Sequence, residues 1–140
     1  MVRISGSECS PGGYGADEMA AIVPRLEAEG ADMIDISAGR FESYEWVIQP
    51  QTTPEGALLP FAEAVKRVAR VPVGIAGRLK TPEYIEQLLR DGKADLINIG
   101  RQLIADADWA RKVLDGEEER IVPCIACRSE EHTSELQSQS

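Results

Sequence analysis

Histidine is all but absent from this chain: the single one, His132, lies near its end. No Ser-His-Asp set, Walker loop or paired-carboxylate spacing is present either. The common hydrolytic and nucleoside-triphosphate machineries therefore have no footing here. Positive charge is also short, with 15 Lys and Arg against 24 Asp and Glu and a net charge of −9. That balance argues against nucleic acid as a partner, because backbone-phosphate binding needs clustered excess cations. No apolar run approaches a membrane span, and no charged region followed by an apolar stretch opens the chain. No membrane partner is expected, and the expected location is cytoplasmic. Cysteine is scarce and odd in number: Cys9, Cys124 and Cys127. Without secretory features, Cys124 and Cys127 read better as metal ligands or a redox pair than as a disulfide staple. Nothing in the sequence sets an oligomeric state.

The last residues stand apart. Arg128 to Ser138 reads Arg-Ser-Glu-Glu-His-Thr-Ser-Glu-Leu-Gln-Ser, which resembles the conceptual translation of a common sequencing-adapter oligonucleotide. The run is polar, has no helical or strand period, and follows Cys127 abruptly. We read residues 128–140 as an adapter-derived artefact and a disordered tail, the alternative being a natural disordered tail, and set it aside with His132. At the other end Met1 is followed at once by strand-like Val2-Arg3-Ile4-Ser5, as in a chain cut at a strand, with no signal peptide.

What remains reads as repeated βα units. Val2 to Ser5 is a short strand, followed by a Gly-, Ser- and Pro-rich loop over 6–15. Met19, Ile22, Val23 and Leu26 form a helical stripe that Gly30 stops. Asp32 to Ser37 is a second strand, and a long connection from Ala38 to about Gly56 follows. A connection of that length inside a compact domain is usually a lid or binding loop. Leu58, Phe61, Ala62, Val65, Val68 and Ala69 mark the next helix, and Val71 to Ala76 the third strand. Thr81-Pro82-Glu83 predicts a helix start with a hydroxyl N-cap; Ile85, Leu88 and Leu89 supply its apolar face and Gly92 its end. Asp95 to Ile99 is the fourth strand, Leu103 to Leu114 one or two short helices, and Glu117 to Glu119 a solvated turn. Four βα units in series predict a parallel sheet with helices outside. Four strands do not close a barrel. The expected fold is α/β, the C-terminal half of a (β/α)8 barrel, over residues 1–127.

Two strand-then-Gly-Arg corners dominate this frame. Val-Pro-Val-Gly-Ile-Ala-Gly-Arg ends at Arg78, and Asp-Leu-Ile-Asn-Ile-Gly-Arg ends at Arg101. A glycine lets backbone N–H groups approach an anion, and the following guanidinium can grip phosphate. On consecutive strands, Gly77, Arg78, Gly100 and Arg101 match the phosphate site that barrels build after their last two strands. Arg3, inside the first strand, either faces the barrel interior or is a frayed exposed residue; taken alone, the second reading is the better one. Cys124-Ile-Ala-Cys127 has a spacing compatible with zinc, an iron–sulfur cluster or a dithiol switch. One such pair supplies half of a four-ligand site. Phe41, Tyr44 and Trp46 either line a pocket or anchor the long loop, and Tyr14 either swings over a site or is merely exposed.

These residues, in this order, resemble a known family. Val2-Arg3-Ile4-Ser5, Gly30 to Gly39, Gly74-Ile75-Ala76-Gly77-Arg78, Gly92 to Arg101 and Pro123 to Cys127 are similar to the Old Yellow Enzyme family of NADH:flavin oxidoreductases. The terminal cysteines resemble its iron–sulfur branch, of the 2,4-dienoyl-CoA reductase and enoate reductase type. The resemblance covers residues 2–127 and implies strands five to eight of an FMN-binding barrel. It implies that Arg3 faces the flavin's pyrimidine edge, which reverses the reading of Arg3 taken alone. Gly77, Arg78, Gly100 and Arg101 would hold the FMN phosphate, and Cys124 and Cys127 would be two ligands of a 4Fe–4S cluster. The family's third cysteine would fall at position 131, where this chain has Glu131, so the cluster is incomplete in the chain as written. The implied reaction is NAD(P)H-dependent reduction of an activated alkene, a small-molecule substrate, with FAD also present in the full-length enzyme. No catalytic proton donor is assigned, and the chain alone is expected to be inactive. Two rivals are a sugar-phosphate-binding barrel without flavin and a zinc-bound structural module.

Overall fold

The computed structural model describes residues 1–127; the reading of 128–140 as an artefact tail, with Glu131 and His132, lies outside them. Four strands, β1 (Val2–Ser5), β2 (Ile34–Ser37), β3 (Val73–Ile75) and β4 (Leu96–Ile97), form one parallel sheet in the order β1-β2-β3-β4. The helices are α1 (Ala16–Ala28), α2 (Tyr44–Val47), α3 (Leu59–Lys66), α4 (Pro82–Arg90), α5 (Arg101–Ala105) and α6 (Trp109–Leu114). Short 3-10 turns at Phe41–Ser43 and Glu118–Arg120 complete the described elements.

Register explains why the two sheet faces differ. Ile34 lies opposite Val2 and Val73, and Ile36 opposite Ile4 and Ile75. Alternation sends all of these to one face, beneath the helices. Ile34, Ile36, Val73 and Ile75 are fully buried there, in one core with Val23, Ala62 and Val65 and with Ile85 and Leu88. Each such side chain stabilises the fold by about 1.5–3 kcal/mol. The opposite face carries the partners one residue along: Arg3 beside Asp35, and Asp35 beside Gly74. A greasy face under helices and a polar face opposite them is the pattern that positions a site.

The helix ends share one device. After α1, Ala31 N–H bonds to Leu26 C=O and Gly30 N–H to Glu27 C=O, with Gly30 in the left-handed region. The same paired bonds close α4 around Gly92 and α6 around Gly116. These double bonds satisfy carbonyls that the helix end orphans, and they need a residue free of Cβ strain.

Several expectations change in detail: β2 begins at Ile34 and not at Asp32, and β3 spans Val73–Ile75 and not 71–76. The fourth strand, expected over 95–99, is only Leu96–Ile97; just before it Asp95 N–H donates to Val73 C=O (2.8 Å), and its carboxylate accepts Val73 N–H (2.8 Å) and Lys66 Nζ (2.8 Å). Thr81 holds the N-cap position of α4 without capping it: its hydroxyl donates to Glu55 Oε2 (2.8 Å), and Glu55 Oε1 accepts the N–H groups of Lys80 and Thr81. Among the described residues no helix is long and apolar enough to cross a membrane.

Candidate functional site

A pocket of about 300 Å³ opens beyond the C-terminal ends of the strands. Its walls include Arg3, both Gly-Arg corners, and Gln49, Lys80, Asn98, Gln102, Cys124 and Ala126. Four cationic side chains (Arg3, Arg78, Lys80 and Arg101) line it, and among the described residues no carboxylate does. In a chain of net charge −9 that segregation favours an anion, since charges of one sign around a concave wall focus the field.

Arg3 projects from the polar face of β1, where its Nε lies 3.3 Å from Asp35 Oδ2. Its side chain keeps 55% exposure while that of Asp35 keeps 4%. Asn98 Nδ2 donates to the other carboxylate oxygen. Burial pushes the Asp35 carboxyl above its ordinary range, against the pull of Arg3 and the Ile36 N–H. Asp35 thus fixes the arginine from beneath and leaves its outer surface available. Gly74 lies close under Asp35 and Asn98: a Cβ there would displace the Met33 methyl (2.8 Å) and crowd Asp35 Oδ1 (3.2 Å) and Asn98 Nδ2 (3.3 Å).

The two corners are built differently. Gly77 has φ +109°, and a Cβ there would sit 2.9 Å from Leu58; Arg78 follows with φ +51°. Arg78 Nη1 donates to the carbonyls of Pro50, Gln51 and Thr53. Gly100 has negative φ, and a Cβ there would meet no protein atom within 4 Å. Arg101 begins α5, and its Nη1 donates to Gln49 C=O (2.8 Å). Both arginines therefore fasten the long connection at residues 49–53 to the strand ends, a task the sequence reading did not assign them.

Cys124 reaches the same pocket from the far end of the chain. Its N–H donates to Gln102 Oε1 (2.8 Å), and its C=O accepts from Lys80 Nζ (3.4 Å). Its Sγ accepts the N–H of Ala126 (3.4 Å), a residue in the left-handed region at φ +51°. An N–H aimed at the first sulfur folds the Cys-X-X-Cys run into a knuckle that suits a thiolate ligand. Cys124 is half-buried and Cys127 exposed, and neither is in a disulfide. Among the described residues no group of three or more His, Cys, Asp or Glu is placed to hold a metal ion.

The structure also decides between the readings of the aromatic residues. Trp46 stacks at a tilt on Phe61 (5.8 Å between ring centres) and anchors the long connection. Phe41 and Tyr44 are exposed, Tyr14 is exposed as well, and none of these four aromatics lines the pocket. Sequence reasoning missed Asp35, Asn98, Gln49, Lys80 and Gln102. Asp35 and Asn98 did carry a signal: each is a polar residue at alternating positions of an otherwise apolar strand. Gln49, Lys80 and Gln102 carried none.

A parallel βα sheet with a cationic pocket at its strand ends is the architecture of phosphate-binding (β/α)8 barrels, of which this chain supplies part. Residues 1–120 match the model of the NADH:flavin oxidoreductase / NADH oxidase family, and the chain belongs to that family. It is 34% identical over 125 residues to a NADH oxidase of Thermoanaerobacter brockii, covering 89% of this chain and 19% of that protein. It is 34% identical over 103 residues to a cinnamate reductase of Clostridium sporogenes, covering 74% of this chain and 16% of that one. The fold is similar to 2-naphthoyl-CoA reductase in complex with 2-naphthoyl-CoA (TM-score 0.82, 28% identity, 89% of this chain and 19% of that one). It is also similar to histamine dehydrogenase from Rhizobium sp. 4-9 (TM-score 0.78, 28% identity, 89% of this chain and 18% of that one). The chain thus spans under a fifth of the length of each of these four proteins.

Proposed function

We propose that this chain is the cofactor-phosphate part of an FMN-dependent oxidoreductase that uses NAD(P)H to reduce activated C=C bonds, with β1 to β4 as barrel strands five to eight. The observation that carries the reading is the pocket wall: four cations and, among the described residues, no carboxylate, on a strongly acidic chain. Gly100 supports it, because protein packing does not require glycine there, whereas close approach of a phosphate would. The names of the similar cinnamate and 2-naphthoyl-CoA reductases point to conjugated carbonyl compounds as the substrate class.

The residues present fit FMN. When bound, FMN supplies the hydride chemistry, and the protein supplies binding and orientation. The Gly77 and Gly100 backbones with Arg78 and Arg101 would hold the phosphate; Arg3, braced by Asp35, would present its cation to the ring's pyrimidine edge. Cys124 and Cys127 would be two ligands of a 4Fe–4S cluster. The described residues fit one knuckle of such a site, and two thiols do not complete it. FAD belongs to the full-length enzyme, and residues 128–140 remain assigned to an artefact tail.

Titrating the chain with FMN and with riboflavin, which lacks the phosphate, tests the reading by quenching of flavin fluorescence. FMN is expected to bind at least about tenfold more tightly, the scale of one or two charge-assisted hydrogen bonds. Equal affinities would remove the phosphate site, and a sugar phosphate displacing nothing while FMN binds would dismiss the flavin-free barrel. The isolated chain is expected to show no NAD(P)H-dependent enoate reduction, and turnover would contradict that.

A further inference from the structure

One buried side chain spans the second corner and the cysteine knuckle. Gln102 follows Arg101 directly and is only 3% exposed. Its carboxamide meets the backbone of the cysteine segment as a neighbouring strand would: Nε2 donates to Val122 C=O (2.8 Å) and Oε1 accepts Cys124 N–H (2.8 Å). Two flanking contacts keep that segment in register. Asp106 Oδ2 accepts Val122 N–H (2.8 Å) and holds Lys112 Nζ (2.7 Å), which also donates to Arg120 C=O (2.9 Å). From the other side Lys80 Nζ reaches Cys124 C=O. The residue that shares a peptide bond with the anion-gripping arginine therefore fixes the peptide of Cys124.

We propose that Gln102 is a positioning residue that links the two sites: it sets Cys124 at the rim of the anion pocket and transmits pocket occupancy to the cysteine knuckle. A group bound at Gly100 and Arg101 restrains the first turn of α5. That turn carries Gln102, so the clamp on Val122 and Cys124 stiffens with it. A glutamine is suited to this because one planar group offers a donor and an acceptor at the spacing of a peptide edge. Gln102 itself is buried, so loss of either partner would leave one of its own amide groups unpaired at a cost. The ligand arm of this proposal rests on the FMN reading above, whereas the clamp itself does not.

Residue-resolved amide hydrogen exchange on the full chain, with and without FMN, tests both parts. In the parent, Cys124 N–H is expected to exchange slowly, and saturating FMN to slow it at least about fivefold more. Gln102→Met keeps the length and packing but removes donor and acceptor. It should speed Cys124 exchange about tenfold, leave Val122 N–H, which is held by Asp106, within about threefold, and cut the FMN response below twofold. Asp106→Asn should reverse the pattern, with Val122 N–H changing more than Cys124 N–H. Unchanged Cys124 exchange in Gln102→Met overturns the clamp. An FMN response that persists in that variant overturns the link, since it would come from direct covering of the cysteine. Should Gln102→Met not fold, Gln102→Glu decides in acid, where its protonated carboxyl donates to Val122 C=O and accepts Cys124 N–H: protection must stay within about threefold of the parent under the same conditions, and its loss overturns the clamp. Absence of any FMN binding to the parent would count against the FMN reading and the link, and leaves the ligand-free comparison to judge the clamp.

Discussion

Gly77-Arg78 and Gly100-Arg101 look alike in sequence and stand on adjacent βα units, yet the fold uses them differently. At the first corner, glycine is imposed by the protein itself: a φ of +109° and Leu58 packed where a Cβ would go. Its arginine is turned onto three carbonyls of the long connection. At the second corner φ is negative, space around Gly100 is open among the described residues, and Gln102, just after the corner, holds the cysteine segment. The same dipeptide ties down the long connection through three carbonyls at one strand end and through Gln49 C=O at the other. Only at the second does packing leave open space beside its glycine. Repetition of a motif on consecutive strands therefore does not make its copies equivalent.

The largest effect that separates the corners is expected from glycine. Gly77→Ala should destabilise the fold by about 3 kcal/mol, combining left-handed strain with a steric clash. Gly100→Ala should change stability by less than about 0.5 kcal/mol while weakening FMN. Urea unfolding and an FMN titration on both variants measure this; equal stability losses would erase the distinction. Next come the arginines. Arg78→Ala is expected to cost about 2 kcal/mol of stability through the orphaned carbonyls of the connection. Arg101→Ala is expected to act chiefly on FMN, with about a tenfold loss of affinity, on the scale of one charged contact. The two readouts crossing over would invert the assignment.

Smaller effects come from the groups that brace the site. The Asp35 carboxyl is raised by burial, so it costs stability as pH rises through its ordinary value toward its folded one. Asp35→Asn should therefore gain most over the parent near neutral pH and lose that advantage in acid, while weakening FMN through a less constrained Arg3. Thermal unfolding of both proteins across the acid range checks the sign. Asp106 runs the other way. Its bonds from Lys112 and Val122 N–H hold its carboxyl below the usual range, so its contribution is complete above that range and fades as pH falls through the lowered value. Faster exchange of Val122 N–H on acidification, beyond the intrinsic change, is the expected signature.

The βα succession, the helix ends and the two corners were legible because each rests on a local rule: period, glycine after a helix, apolar run before Gly-Arg. Arg3 was not legible by itself. A lone cation in a strand takes its meaning from the residue opposite, and Asp35 lies a whole βα unit away in sequence. Thr81 had the right local chemistry for a cap, but its hydroxyl was drawn away by Glu55, so a tertiary contact outranked the local one. Lys80 and Gln102 act through backbone groups of a distant segment. Any long polar residue can do that, so no residue type announces it.

The sheet order, β1-β2-β3-β4, repeats the order of the chain. Among the described strands, each one after β1 has a partner already made when it arrives. Pairing then proceeds by the closing of successive loops, each a whole βα unit long, as between Val2 and Ile34 or Ile34 and Val73, and that closure entropy slows the joining of parallel strands. Such a sheet grows like a row of tiles, each laid against the last, and its outer edge is always the newest strand.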